Sequence, residues 1–345
     1  MVTLEKYKIL VIVHRDQRSF EVNRVPKGGQ SGYIQSRLKN IRRHLSTDDK
    51  QRPRCKTKID QSTDKQIGLR MADLPTVEED EAKRLSTFCR SAPVESKDAI
   101  LSAMKKSTGN RMSWIKQDGP SVTEILKQYP QYIEIPELIT QDFEQMFGTD
   151  IGHNFLLKWG QHASKVLAYI SSSKNPTLVD LKDEYQASSK SEELSALYGL
   201  LGLIHLLPSF NTRKKGKCSR EEVIQFFLDN QPIGTSVEDY TNKASAEGII
   251  RRQPYLLGIG NAHEIQQFFI IVDRRAIPTS RQSCNIVAAT DVLFKFYYIF
   301  NLDYPPQLED FFIYLQTEIY NIPVHPGQKL ANRVKEIKVA LQMSG

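Results

Sequence analysis

The apolar positions of residues 285–322 recur at spacings of three and four, and the rest of the chain reads as arranged around them. Ile286, Leu293, Phe296, Tyr297 and Phe300 give one wide helical face, and Leu308, Phe311, Phe312, Leu315, Ile319 and Tyr320 give a second. Between them, Tyr304, Pro305 and Pro306 must stop a helix. Proline has no amide hydrogen to donate and pushes the preceding residue out of the helical region. The pattern predicts an antiparallel helical hairpin turning at Pro305, with an aromatic load that needs partners from elsewhere in the chain.

Upstream, residues 194–207 are apolar nearly all round and should form the most buried helix, with Gly199 and Gly202 leaving room for a close neighbour. Residues 155–170 place Leu156, Trp159, Ala163, Val166 and Ile170 on one face. Ser121 and Glu124 have the capping-box spacing, in which each side chain satisfies a free amide of the other's segment, ahead of Ile125, Leu126 and Tyr129. Thr140 is placed to cap a helix carrying Phe143, Met146 and Phe147. Residues 75–115 predict two helices broken near Pro93, and residues 334–341 a last amphipathic turn or two. Ser219 and Glu222 repeat the capping-box spacing before Val223, Phe226, Phe227 and Leu228.

The period changes at residues 254–260 and 267–273, two short apolar, partly β-branched runs bounded by Gly, Asn and Asp, which predict two strands. The expected fold is mainly α: a multi-helix body with a central helical hairpin and a small two-stranded β ribbon. Four regions are expected: a basic helical segment over 1–45, a disordered linker over 46–70, a helical connector over 71–119 and a helical globular domain over 120–345. The linker expectation rests on its polar, charged composition, which offers too little apolar surface to offset the entropy of ordering.

Composition suits this reading, since 345 residues with 40% hydrophobic content can bury a sizeable core. Charge adds something new. Of the formal net +7, residues 1–70 hold 17 Lys or Arg against 7 Asp or Glu, leaving 30 against 33 for the remainder. Within that basic portion, Ile34, Leu38, Ile41 and Leu45 would share one helical face, with Arg37, Lys39, Arg42 and Arg43 around the other. Such a helix could meet a nucleic-acid backbone, an anionic membrane or an acidic protein, while a solvated basic face is the plainer reading. Lys214, Lys215 and Lys217 match the short basic pattern read by nuclear import receptors, and a solvated loop is again plainer.

Chemistry is harder to find. The apolar run at residues 9–13 is too short for a secretory signal, and the two longest apolar stretches are too short or too charged to span a bilayer. Cys55, Cys89, Cys218 and Cys284 are widely spaced, as expected of reduced thiols inside a cell. The histidines lack metal-ligand spacing, and Gly258 and Gly260 lack the third glycine of a dinucleotide loop. No catalytic residue, cofactor or metal is expected.

A family resemblance comes from Gly32 and Tyr33, from Leu38, Lys39, Ile41, Arg42 and Arg43, from residues 111–115, and from residues 121–130. It continues through Leu206, Leu207 and Pro208, through residues 269–273 with Ala276 and Ile277, and through residues 294–322. Over roughly residues 30–325 the chain resembles the sterile alpha motif domain-containing protein 3-like family, in the part that follows the sterile alpha motif. No such motif is expected before Gly32. The resemblance implies a shared fold and supplies no catalytic residues.

The resulting expectation is a non-enzymatic intracellular protein, cytoplasmic or nuclear, that works by binding another macromolecule, a protein first of all. The other reading left open is a nucleic-acid-binding protein acting through the basic N-terminal segment, of mobile-element descent.

Overall fold

Prolines, glycines and side-chain caps cut the chain into short helices. The structure, a computed structural model, describes residues 68–208, 220–243, 253–261, 264–280 and 285–343. Arg37, Lys39, Arg42 and Arg43, the expected linker up to residue 67, and Lys214, Lys215 and Lys217 therefore lie outside the described residues. Helix α1 (Glu79–Ser91) ends where Ala92 and Pro93 turn extended. Helices α2 (Lys97–Lys106) and α3 (Thr108–Asp118) follow, so the stretch expected as two helices is three. The extra break falls at Ser107, where the Ser107 and Thr108 hydroxyls donate back to the Ala103 and Met104 carbonyls and compete with the helical ladder.

Helix α4 (Val122–Gln128) opens on the expected capping box, with the Glu124 amide donating to Ser121 Oγ and the Ser121 amide to the Glu124 carboxylate. Helices α5 (Gln131–Glu134) and α6 (Glu137–Phe147) each begin directly after a proline, whose fixed φ suits a first turn. Thr140 therefore lies inside α6, not at its start.

Helix α7 (Thr149–Ser172) is followed by α8 (Pro176–Ala187) and α9 (Glu192–Leu206). Its buried stripe is Phe155, Trp159, Ala163, Val166 and Ile170; Leu156, expected there, is 45% exposed because the stripe centres one position earlier. Helix α9 packs on that stripe. A Cβ at Gly199 would sit 2.7 Å from Ala163 Cβ, and one at Gly202 would run into Ile170 Cδ1. Both glycines exist at the helix-propensity cost that close approach demands.

Short α10 (Arg220–Ile224) does not continue through Leu228, which instead opens strand β1 (Leu228–Gln231). After α11 (Val237–Lys243) come β2 (Tyr255–Asn261), β3 (Glu264–Val272) and β4 (Arg275–Pro278). The sheet thus has four strands in the order β1-β2-β3-β4, with β1 parallel to β2 and the other pairs antiparallel, in place of the two expected. Its central strands carry apolar residues on both faces. Leu256, Phe268, Ile270 and Val272 face the helical body, while Tyr255, Leu257, Ile259 and Ile271 meet Val237 and Tyr240 of α11. The β3–β4 turn places Asp273 and Arg274 at φ 48° and 61°, the left-handed pair that a tight hairpin requires.

Helix α12 (Ile286–Ile299) is capped by Asn285, whose Oδ1 accepts from the Ala288 amide. Pro305 and Pro306 separate it from α13 (Glu309–Tyr314), which runs on as a π turn over Leu315–Ile319 before α14 (Asn332–Met343). Ring pairs join the two sides: Phe294 stacks on Tyr320 with centroids 3.9 Å apart, and Tyr297 meets Phe312 at 5.0 Å. The same core takes in Leu69, Leu74, Cys89, Ile100, Met104 and Ile115 from the N-terminal side of the described chain. Among the described residues, no helix is long and apolar enough to cross a membrane.

Candidate functional site

Helix α6 carries two different faces at helical spacing. Leu138, Ile139, Asp142, Phe143, Met146 and Phe147 are buried, while Glu137, Thr140, Gln141, Glu144 and Gln145 line an open cleft of about 750 Å³. The other walls are Leu101 and Lys105 of α2, Gly148 and Thr149 at the start of α7, and Arg70 and Asp73 from the segment before α1. The Arg70 guanidinium lies against Gly148, 3.5 Å from where a Cβ there would be.

Charges of both signs meet in this cleft. Lys97 Nζ is 2.7 Å from Glu137 Oε1 at its rim, and His153 Nε2 is 3.5 Å from Glu144 Oε1. The Glu144 side chain runs over the backbone of Gly152, where a Cβ would come within 2.6 Å of its Cγ. The two threonines and two glutamines of the lining add neutral donors and acceptors, and Leu101 is its one aliphatic side chain. Neither histidine nor cysteine is among the lining residues. The arrangement can hold a polar segment bearing both charge types.

Beneath the cleft, on the opposite face of α6, lies a sealed ionic network. Arg111 Nη2 donates to Asp142 Oδ1 at 2.6 Å and to the Met104 carbonyl at 3.1 Å, and Arg111 Nε donates to Tyr132 Oη at 2.8 Å. The Tyr132 hydroxyl in turn donates to Asp142 Oδ2. Burial works against the Arg111 charge, but the Asp142 carboxylate and the Tyr132 and Tyr129 rings more than offset it, so its pKa is raised. Burial also pushes the Tyr132 phenol well above its ordinary range. Arg111 and Asp142 are both out of water, so they fix α3 against α6 and do not face a ligand.

A second network lies between α12 and the end of the π turn. Asp291 Oδ2 accepts from Lys295 Nζ at 2.5 Å, and Asp291 Oδ1 accepts from the Tyr320 hydroxyl at 2.7 Å. Burial raises the Asp291 pKa, with Lys295 and Tyr320 pulling the other way. Both charged residues were visible as interruptions of an apolar helix. Tyr320 was visible as part of the second apolar face, but not as their partner.

Half-buried His162 places Nε2 2.8 Å from the Tyr314 hydroxyl. Burial, and after it the Lys165 charge, lowers its pKa to about 4. Among the described residues no three His, Cys, Asp or Glu side chains converge as a metal site. The cleft itself escaped sequence reasoning, since its walls come from four segments with no shared motif; the only signal was the polar face of α6. No family model, curated protein or solved structure matches this chain.

Proposed function

We propose that the chain works by binding another protein, and that it does so without catalysing a reaction. The observation that carries this reading is the cleft beside α6, where Arg70 and Lys105 share one open space with Asp73, Glu137 and Glu144. A partner segment with alternating charges matches such a lining, and charge complementarity of this kind sets specificity and association rate more than raw affinity. The Arg111–Asp142 and Asp291–Lys295–Tyr320 groups lie elsewhere, in buried networks whose members already satisfy one another. The reading puts the protein in the cytoplasm or nucleus, and keeps the resemblance to the sterile alpha motif domain-containing protein 3-like family as a shared fold.

The excess of basic residues over 1–70 favours a second reading, binding of nucleic acid through Arg37, Lys39, Arg42 and Arg43, with Lys214, Lys215 and Lys217 as an import signal. One experiment separates the two. Affinity capture with the full chain and with an Arg70→Glu, Lys105→Glu variant should recover a stoichiometric protein partner with the first and lose it with the second. Recovery of nucleic acid by both, with affinity falling steeply as salt rises, would favour the second reading instead. Turnover of a substrate dependent on a lining residue would overturn both.

A further inference from the structure

Residues 69–77 cross the surface on an irregular path, interrupted by the 3-10 turn Met71–Asp73, and supply Arg70 and Asp73 to the cleft. A few anchors hold them. Leu69 and Leu74 are buried in the core. The Arg70 amide donates to the Met146 carbonyl at 2.8 Å, and the Gly109 amide donates to the Pro75 carbonyl at 2.8 Å. Asn110 holds Val77 from both sides: the Val77 amide donates to Asn110 Oδ1 at 3.0 Å, and Asn110 Nδ2 donates to the Val77 carbonyl at 2.9 Å. A side-chain amide thereby does for Val77 what a neighbouring strand would do.

Gly109 is what allows this approach to α3. A Cβ there would run into Thr76 Cγ2 and come within 2.9 Å of the Pro75 carbonyl oxygen. Between the anchors Ala72, Asp73, Pro75 and Thr76 are exposed. A segment held by two buried pegs and a handful of part-buried hydrogen bonds, set against the entropy of ordering every residue in it, belongs to the low end of local stability.

We propose that residues 69–77 form a strap that opens as one unit, with Asn110 as its latch, and that opening removes one wall of the cleft. A ligand seated against Arg70 or Asp73 holds the strap shut, and by linkage a shut strap binds that ligand more tightly. This holds whatever occupies the cleft, so it stands apart from the identity of any partner.

Native-state hydrogen exchange on the full chain tests it. The Arg70 and Val77 amides should exchange at a common rate, at least about tenfold faster than those of Phe296 and Tyr297 in α12. Asn110→Ala removes two hydrogen bonds and should raise exchange at both strap amides about tenfold, leaving α12 unchanged. Gly109→Ala should give the same signature by pushing Thr76 and Pro75 away, since alanine itself suits the helix. If Asn110→Ala speeds Val77 but not Arg70, the segment is not a unit and the proposal fails. It fails equally if the strap amides of the unaltered chain exchange only as slowly as those of α12.

Discussion

Lys295 Nζ lies 2.5 Å from Asp291 Oδ2, one helical turn along α12, with both side chains almost wholly removed from water. A pair like this has given up two hydration shells, so each charge depends on the other. Asp291→Ala, which leaves Lys295 alone in the core, should destabilise the fold by about 3–5 kcal/mol, whereas Asp291→Leu with Lys295→Met should recover most of that loss. Urea unfolding of the two variants checks it. Burial raises the carboxyl pKa above 3.8, so this contribution is present at low pH and is lost as pH rises through the folded value.

His162 has the opposite sign. Its folded pKa of about 4 lies below the ordinary 6.5, so the unfolded chain takes up a proton first as pH falls. The contribution is complete above pH 6.5 and disappears as pH falls toward about 4, at a slope of about 1.4 kcal/mol per pH unit. His162→Gln should remove that slope, which stability measured at several pH values between these limits would show. Parallel curves for the two proteins would contradict the burial of the imidazole.

Gly199→Ala and Gly202→Ala should differ although each gains helix propensity. At Gly199 the new Cβ meets Ala163 Cβ at 2.7 Å and Cα at 3.0 Å, atoms fixed to a neighbouring backbone. At Gly202 the obstruction is Ile170 Cδ1, the end of a side chain that can rotate. Overpacking of about 1–3 kcal/mol is expected at Gly199 and less at Gly202, read from thermal unfolding.

Leu315 and Phe296 are wholly buried on the two sides of the Pro305 break. Truncating either to alanine should cost about 2–5 kcal/mol, from lost transfer energy and from the cavity left behind. Loss near zero for both, in denaturant titrations, would mean that these helices do not form the stability core.

The legible parts of the fold are those whose signals are local. Ser121 with Glu124, and Gly199 with Gly202, announce a cap and a close approach because the physics acts within a few residues or on one helix face. Edge strands announce nothing of the kind. Leu228 to Gln231 and Arg275 to Pro278 join the sheet through backbone hydrogen bonds to β2 and β3, and neither carries the alternating apolar residues that mark a strand. Thr140 misled because a proline four residues earlier starts the helix sooner than its hydroxyl could. The cleft was illegible for a further reason: Arg70, Lys105, Glu137 and Thr149 meet only after α2, α6 and α7 have packed.

The π turn at Leu315–Ile319 also sets a length. Its bonds reach one residue further back than those of an α-helix, as where the Tyr320 amide donates to the Leu315 carbonyl at 3.0 Å. Such a turn behaves as a single residue inserted into a helix. Winding the same residues as a regular α-helix would swing Tyr320 by about 100°, taking its hydroxyl away from Asp291. The one extra residue thus sets the Tyr320 hydroxyl against a carboxylate that stands 29 positions before it in the chain.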